Sequence, residues 1–221
     1  MNAFADIAAE WRKAGLLPPE GTPVPKPSEY DPAAYIRQQR LAKWKEYCPP
    51  EFQKPIERDK IPNLKAWDEA DQWNGTHPGV WLWSHDTGLA KSRMLWRLFG
   101  RLHVKQAKNV TRITGFHLAE EYHDCLNKNA TYFFYRNVMG YEVVMLDDLD
   151  KMKLPEETDG FAEKNEAARN ARMLRELFDK FYEAHTPVLV TANEPIAWFE
   201  ERIGPSGARR MREVCREISF Q

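Results

Sequence analysis

A turn from His85 to Ser92 carries the residue types that phosphate binding requires. The apolar run Gly79–Trp83 leads into this polar turn, and Lys91 and Ser92 open an amphipathic segment behind it. Backbone N–H groups at a helix N-terminus attract an anion, a lysine reaches the β- and γ-phosphates, and a hydroxyl binds Mg²⁺. We therefore predict that the following residues bind a nucleotide: His85, Asp86, Thr87, Gly88, Leu89, Ala90, Lys91, Ser92 and Arg93.

This turn departs from the strict phosphate-loop pattern GxxxxGK[ST] at both glycine positions. His85 occupies the first and Ala90 the second, which leaves Gly88 at an internal position. A residue with a Cβ in a left-handed conformation costs on the order of 1 kcal/mol, so the loop remains feasible. The alternative is an ordinary strand-to-helix turn with an accidental Lys-Ser pair.

Adjacent carboxylates follow a second apolar run. In EVVMLDDLDK, four apolar residues come directly before Asp147 and Asp148. A buried parallel strand delivers such groups to the sheet edge where doubly wound folds bind ligands. We assign Asp147, with Ser92, to Mg²⁺ and Asp148 to the attacking water, and we interpret Asp150 and Lys151 as surface charges. The alternative is a strand that ends in a solvated acidic turn.

A third apolar run, in TPVLVTANEP, ends in Thr191 and Asn193, whose polar groups suit contact with a γ-phosphate or the attacking water. The C-terminal stretch that follows concentrates arginines, among them Arg209 and Arg210. An arginine there could stabilise transition-state charge on the nucleotide of a neighbouring subunit. The alternative for any one of them is a solvated helix surface.

The elements that must position these residues are short apolar runs alternating with amphipathic segments. Runs such as VVML and PVLV do not alternate in polarity, which is typical of parallel strands covered on both faces. We predict a three-layer α/β fold with a parallel five-stranded sheet. The predicted strands are Gly79–Trp83, Val110–Thr114, 142–146, 187–191 and 217–220, and the predicted helices are 91–102, 118–128, 163–184 and 208–216.

The first third of the chain lacks the dense apolar patterning of a core. Residues 1–20 predict a short helix, residues 21–32 a proline-rich linker, and residues 33–47 a helix rich in Arg, Lys and Gln. We predict a helical, proline-rich N-terminal segment over residues 1–60 and a nucleotide-binding core over residues 61–221.

Composition limits the remaining choices. The 221-residue chain has 32 Lys and Arg against 33 Asp and Glu, so its overall charge does not indicate a nucleic-acid binder. Its three cysteines form no CxxC pair, which argues against a zinc site. The charged N-terminus does not resemble a signal peptide, and no uncharged run approaches the about 18 apolar residues of a membrane span. We expect a cytoplasmic protein.

Local patterns leave single-stranded DNA as a potential partner. Arg93, Arg97 and Arg101 are spaced four residues apart in a stretch without acidic residues, which predicts a basic helix face, with ordinary surface charge as the alternative. The aromatic run Tyr132–Tyr135 could stack on bases, although we interpret it as partly core.

In this order, the motifs resemble those of AAA+ ATPases of the DnaC/IstB group, which are bacterial and phage helicase loaders and transposition helpers. The matching stretches are HDTGLAKSR for Walker A, VVMLDDLDK for Walker B, VLVTAN for sensor 1 and ARRMRE for the arginine-finger region. The resemblance runs from about Cys48 to the C-terminus. It implies ATP/ADP and Mg²⁺ as ligands of a site lined by Lys91, Ser92, Asp147, Asp148 and Asn193.

The resemblance also implies that Arg210, with Arg209 as the fallback, reaches the nucleotide of the next subunit, and that residues 1–60 hold a replicative helicase or another protein partner. Because the chain stops at Gln221 after the last predicted strand, we expect no helical lid and oligomers that are weak or depend on DNA or a partner. The leading hypothesis is a helicase-loader-like ATPase. The alternatives are an IstB-like transposition helper and a degenerate AAA+ interaction or inhibitory module with little or no hydrolysis.

Overall fold

The computed structural model describes residues 31–86, 88, 90–155 and 161–221. The helix predicted over residues 1–20 and nearly all of the predicted linker lie outside the described residues. The chain divides into two compact units, Met1–Ile36 and Arg37–Gln221. The described part of the first unit is the beginning of a helix, where the backbone N–H of Ala33 donates to Asp31 Oδ1 at 2.9 Å.

The centre of the second unit is a five-stranded sheet in the order β2-β3-β4-β1-β5, with parallel pairing between all neighbours. The strands are β1 Gly79–Trp83, β2 Val110–Thr114, β3 Val143–Asp147, β4 Val188–Ala192 and β5 Cys215–Ser219. Since the strands are parallel, the segments that follow β1, β3 and β4 emerge at one edge of the sheet. The predicted parallel five-stranded sheet is confirmed.

Strand boundaries agree with the prediction for β1 and β2 and shift by one or two residues elsewhere. Asp147 still belongs to β3 because it pairs with Thr114 of β2. The largest shift is at β5, which begins at Cys215 in register with Gly79, whereas a helix was predicted to continue through that position. This edge strand has exposed polar residues of the kinds that also occur on the surface of a helix, which explains the wrong prediction.

Nine α-helices lie in the described residues: α1 Pro32–Tyr47, α2 Pro50–Gln53, α3 Leu64–Asp71, α4 Lys91–Gly100, α5 Gly115–Asn127, α6 Thr131–Met139, α7 Phe161–Glu183, α8 Ile196–Ile203 and α9 Pro205–Val214. A π-helical turn, Arg101–Lys105, continues α4, and 3-10 turns cover Arg58–Lys60 and Leu149–Lys151. The prediction missed α2, α3, α6 and α8, all of which have fewer than ten residues. Hydrophobic periodicity over so few residues does not reliably separate a short helix from a loop.

Helices cover both faces of the sheet. Trp81 of β1 packs on one face against Phe178 and Phe199, with ring centroids 6.4 and 5.0 Å away. Its neighbours Val80 and Leu82 belong to the hydrophobic cluster on the other face, which α4 closes. Successive side chains of a strand point to opposite faces, so β1 stabilises both layers, and each fully buried side chain contributes about 1.5–3 kcal/mol. The three-layer fold is confirmed.

Two sequence interpretations concern surface residues. Phe134 and Tyr135 are buried in the core while Tyr132 and Phe133 are exposed, which confirms that the aromatic run is partly core. The predicted basic face of α4 is largely neutralised, because Arg97 and Arg101 both form ion pairs with Asp71 at the end of α3. Sequence spacing within α4 could not reveal this partner, which lies on another helix.

Candidate nucleotide-binding site

A cleft of about 510 Å³ opens at the carboxyl edge of the sheet. Among the segments that contribute to it are those after β1, β3 and β4, which are distant from one another in sequence. The predicted site residues that line it are Gly88, Ala90, Lys91, Ser92, Arg93, Asp148 and Asn193. The parallel sheet therefore brings together the groups that the sequence indicated separately.

The turn before α4 has a left-handed backbone at the second glycine position of the phosphate-loop pattern. Ala90 has φ 70° and ψ 8°, which is left-handed, and Gly88 has φ 83°. The predicted strain is thus present, and it costs about 1–2 kcal/mol at Ala90. No side chain caps α4, so the N–H groups of its first turn are available to an anion. Thr87 and Leu89 lie outside the described residues.

Lys91 is buried at the start of α4 and points back into the turn. Its Nζ donates to the carbonyl oxygens of Ser84 at 3.0 Å and Asp86 at 3.2 Å. Burial lowers the pKa of Lys91, and the negative charges of Asp150 and Asp148 oppose this shift. The ammonium therefore lies between the turn and the acidic residues after β3, where the phosphates of a nucleotide would add negative charge.

His85, at the first glycine position of the pattern, does not line the cleft. Its Nδ1 lies 3.4 Å from Glu194 Oε2, and its ring contacts Trp83 edge-on at 5.2 Å between centroids. Asp86 contributes its backbone carbonyl to Lys91 and its backbone N–H to Ser84 Oγ at 3.2 Å. These two residues shape the turn from outside the cleft.

Both carboxylate oxygens of Asp147 are engaged within the protein. Oδ2 accepts hydrogen bonds from Nε of Arg112 at 2.9 Å and from its Nη2, and Oδ1 accepts from Thr191 Oγ1 at 2.5 Å. The Arg112 guanidinium also stacks over Trp96, 4.9 Å from the ring centroid. Asp147 is 2% exposed and does not line the cleft, so its assignment to Mg²⁺ stays a prediction that requires it to leave Arg112.

Asp148 is the carboxylate that lines the cleft. Its backbone is left-handed, with φ 50° and ψ 52°, and its N–H donates to Thr191 Oγ1 at 2.9 Å. Burial raises the pKa of Asp148, and the neighbouring charges of Asp147 and Asp150 raise it further. A carboxylate with a raised pKa beside a ligand cleft is suited to accepting a proton.

Asp150 is not the surface charge that the sequence indicated. Its side chain is only 7% exposed, and its carboxylate accepts from the backbone N–H of Asn193 at 2.8 Å and from Asn193 Nδ2 at 2.9 Å. Lys151, by contrast, is 58% exposed, as the interpretation required. The 3-10 turn after Asp148 directs Asp150 inward, a feature that single-sequence patterning does not reveal.

Arg210 lies away from the cleft and is bound within its own chain. It pairs with Asp179 at 2.9 Å and Glu213 at 2.6 Å, and its guanidinium stacks over Tyr182 at 4.2 Å. The side chain of Arg209 is 65% exposed and that of Arg210 is 26% exposed, so Arg209 is the more accessible of the two. The trans-acting role of either arginine stays a prediction.

The opposite wall of the cleft comes from a segment that the sequence analysis did not assign to the site. Its residues are Phe52, Lys54, Pro55, Glu57, Lys60 and Ile61. The Arg93 guanidinium lies 5.7 Å from the Phe52 ring centroid. An aromatic and an aliphatic side chain here offer a nucleotide base an apolar surface. The signals in the sequence were the apolar residues Phe52 and Ile61 within a proline-punctuated stretch and the family resemblance, which begins at about Cys48.

The cleft fits a nucleotide that brings its own metal ion. Among the described residues, no three His, Cys, Asp or Glu side chains converge on a metal position. Mg²⁺ in nucleotide sites is held by one or two carboxylates together with substrate phosphates. The Ser92 hydroxyl at the cleft is available for this, whereas the predicted second ligand, Asp147, is bound to Arg112. Within the described part of the chain, every helix is too short or too polar to cross a bilayer.

Several solved replication proteins share this fold. The replication initiator DnaA, solved with AMPPCP and single-stranded DNA, matches with a TM-score of 0.57 and 12% identity, over 78% of this chain and 50% of that chain. The DnaC helicase loader matches with 0.56 and 13%, over 80% and 96%. A putative primosome component from Streptococcus pyogenes serotype M3 matches with 0.54 and 19%, over 79% and 90%. No protein-family model and no curated protein matches the sequence.

The parallel sheet in the order β2-β3-β4-β1-β5, with helices on both faces, is a three-layer α/β fold of the P-loop type. This is the fold of the DnaC and DnaA structures, so the resemblance found in the sequence is confirmed at the level of the fold. The chain spans about half the length of the DnaA chain (50%) and nearly all of the DnaC chain (96%) that it matches.

Proposed function

We propose that this protein is a helicase-loader-like ATPase that acts in DNA replication. The observation that carries the proposal is the convergence of Lys91, Ser92, Asp148 and Asn193 on one cleft at the uncapped N-terminus of α4. A cation, a hydroxyl, a carboxylate and an amide are the groups that ATP binding and hydrolysis require at such a position.

Each residue has a defined task in this proposal. When bound, Mg²⁺-ATP supplies the phosphoanhydride bond and the metal ion that polarises it. Lys91 and the N–H groups of α4 neutralise the phosphates, and the Ser92 hydroxyl binds the metal ion. Asp148 orients the attacking water and accepts its proton, because a raised pKa makes this carboxylate a better base. The apolar surface of Phe52 and Ile61 holds the base.

The partners are proposed from the structures that share the fold. One of them is described as a helicase loader, and another was solved with single-stranded DNA. We infer that residues 1–60 hold a replicative helicase, that single-stranded DNA is a second ligand, and that self-association is weak unless DNA or the partner is present. The proposed location is the cytoplasm.

Turnover and binding together test the proposal. ATP binding and hydrolysis are measured for the wild type, Lys91→Ala and Asp148→Asn. The matched controls are Lys128→Ala and Asp124→Asn, which change exposed residues. We expect Lys91→Ala to lose binding, Asp148→Asn to bind without turnover, and the controls to behave like the wild type. A wild type without ATP binding or turnover, even with single-stranded DNA and the helicase present, would refute the ATPase proposal.

A second candidate is an interaction or inhibitory module that binds ATP without hydrolysing it. It is favoured by one observation: Asp147 and Arg210 are already bound to Arg112 and to Asp179 and Glu213. The same assay separates the two candidates, because the module would retain ATP and helicase binding in the wild type while showing no turnover.

A further inference from the structure

The structure divides three neighbouring carboxylates among three different tasks. Asp147 is bound to Arg112, Asp148 faces the cleft, and Asp150 is bound to Asn193. Of these contacts, only the one between Asp150 and Asn193 links the acidic turn after β3 to a cleft residue that follows β4. Asp150 has no task in the proposed function, although its side chain is almost completely buried.

The contact between Asp150 and Asn193 fixes both the backbone and the side chain of Asn193. One carboxylate oxygen accepts from the backbone N–H at 2.8 Å, and the other accepts from Nδ2 at 2.9 Å. Two charge-assisted hydrogen bonds to one carboxylate restrict rotation about the side-chain torsions of Asn193. The exposed Lys151 lies 3.5 Å from the same carboxylate and leaves this arrangement intact.

Chemistry then determines which way the Asn193 amide points. A carboxylate accepts hydrogen bonds and donates none, so the amide must turn its nitrogen, and never its oxygen, toward Asp150. The carbonyl oxygen and the second N–H of the amide remain for a ligand in the cleft that Asn193 lines. Without the carboxylate, the two orientations of the amide would lie closer in free energy.

We propose that Asp150 is a positioning residue that holds the Asn193 amide in the one orientation that distinguishes ATP from ADP. The inference rests on the proposed nucleotide site and deepens it. The β- and α-phosphates are held by the turn and Lys91, and the hydrogen bonds that place Lys91, to the carbonyl oxygens of Ser84 and Asp86, do not involve Asp150. Loss of Asp150 therefore weakens the contact to the γ-phosphate region and leaves ADP binding nearly unchanged.

The test compares Asp150→Asn, Asn193→Asp and the exchanged pair carrying both substitutions, all in the full-length chain. Calorimetric titration gives the Kd for ADP and for AMPPNP, which is not hydrolysed, and a thermal melt gives Tm. For Asp150→Asn, we expect AMPPNP affinity to fall about tenfold, as for one lost hydrogen bond, with ADP affinity within about twofold of wild type. The exposed Asp124→Asn serves as the matched control.

The exchanged pair separates positioning from simple stability. In that variant, the amide introduced by Asp150→Asn can donate to the carboxylate introduced by Asn193→Asp, so the hydrogen bond and Tm should recover while the preference for AMPPNP stays lost. Recovery of the preference together with Tm would overturn the inference, as would an unchanged AMPPNP-to-ADP ratio in Asp150→Asn. A wild type that binds neither nucleotide would instead refute the nucleotide site itself, and with it this role.

Discussion

Arg112 of β2 and Asp147 of β3 form an ion pair that joins the edge strand of the sheet to the acidic turn of the site. The Nε–Oδ2 distance is 2.9 Å, and Asp147 is almost completely buried while Arg112 is partly exposed. The hydroxyl of Thr191 on β4 contacts the other oxygen of the same carboxylate. Three adjacent strands are therefore connected through Asp147, directly beside the cleft.

Breaking this ion pair from one side should destabilise the protein strongly. Arg112→Met leaves the buried Asp147 carboxylate without its countercharge, and we expect the free energy of unfolding to fall by about 3 kcal/mol. Adding Asp147→Asn removes that charge and should recover part of the loss. Urea unfolding of both single variants and the double variant gives the coupling. Additive effects of the two substitutions would contradict the ion pair.

A glycine at position 90 should stabilise the fold. Ala90 has φ 70°, so Ala90→Gly removes about 1–2 kcal/mol of strain and gives back part of it through the greater entropy of the unfolded chain. We expect a net gain of up to about 1 kcal/mol in thermal or urea unfolding. The matched control is Ala168→Gly on the exposed face of α7, which should lose about 1 kcal/mol. Equal losses in the two variants would show that Ala90 is unstrained.

Acid should destabilise the protein in part through His77. Its Nε2 is buried with no hydrogen-bond partner among the described residues, and its ring lies 5.2 Å from that of His185. Burial, and secondly the charge of His185, lower the pKa of His77. As the pH falls, His77 is therefore protonated in the unfolded chain before it is protonated in the folded protein. The free energy of unfolding decreases as the pH drops through about 6.5, the pKa of histidine in the unfolded chain.

The measurement for His77 is the free energy of unfolding of wild type and His77→Leu between pH 8 and pH 5. Above the unfolded pKa both states are neutral at this position, so the two curves should run in parallel. Below it, the wild-type curve should fall more steeply. Curves that stay parallel over the whole range would assign the acid sensitivity to other groups.

Strand ends made much of the cleft predictable. Lys91, Asp148 and Asn193 each follow an apolar run, and parallel strands bring such positions to one edge whatever lies between them. Phe52 and Asp150 were missed because their roles depend on partners from distant segments. The same reason explains Arg97, whose charge is neutralised by Asp71 from another helix.

The most direct test of the account is amide hydrogen exchange of the full-length chain with and without saturating Mg²⁺-ATP. If the cleft binds the nucleotide, residues 90–95, 148–151 and 52–61 should exchange more slowly with ATP, while α6 and α9 should be unaffected. Lys91→Ala should abolish the protection. Unchanged exchange in residues 90–95 at an ATP concentration that saturates the protein, or protection confined to other segments, would contradict the assignment of this cleft as the ATP site.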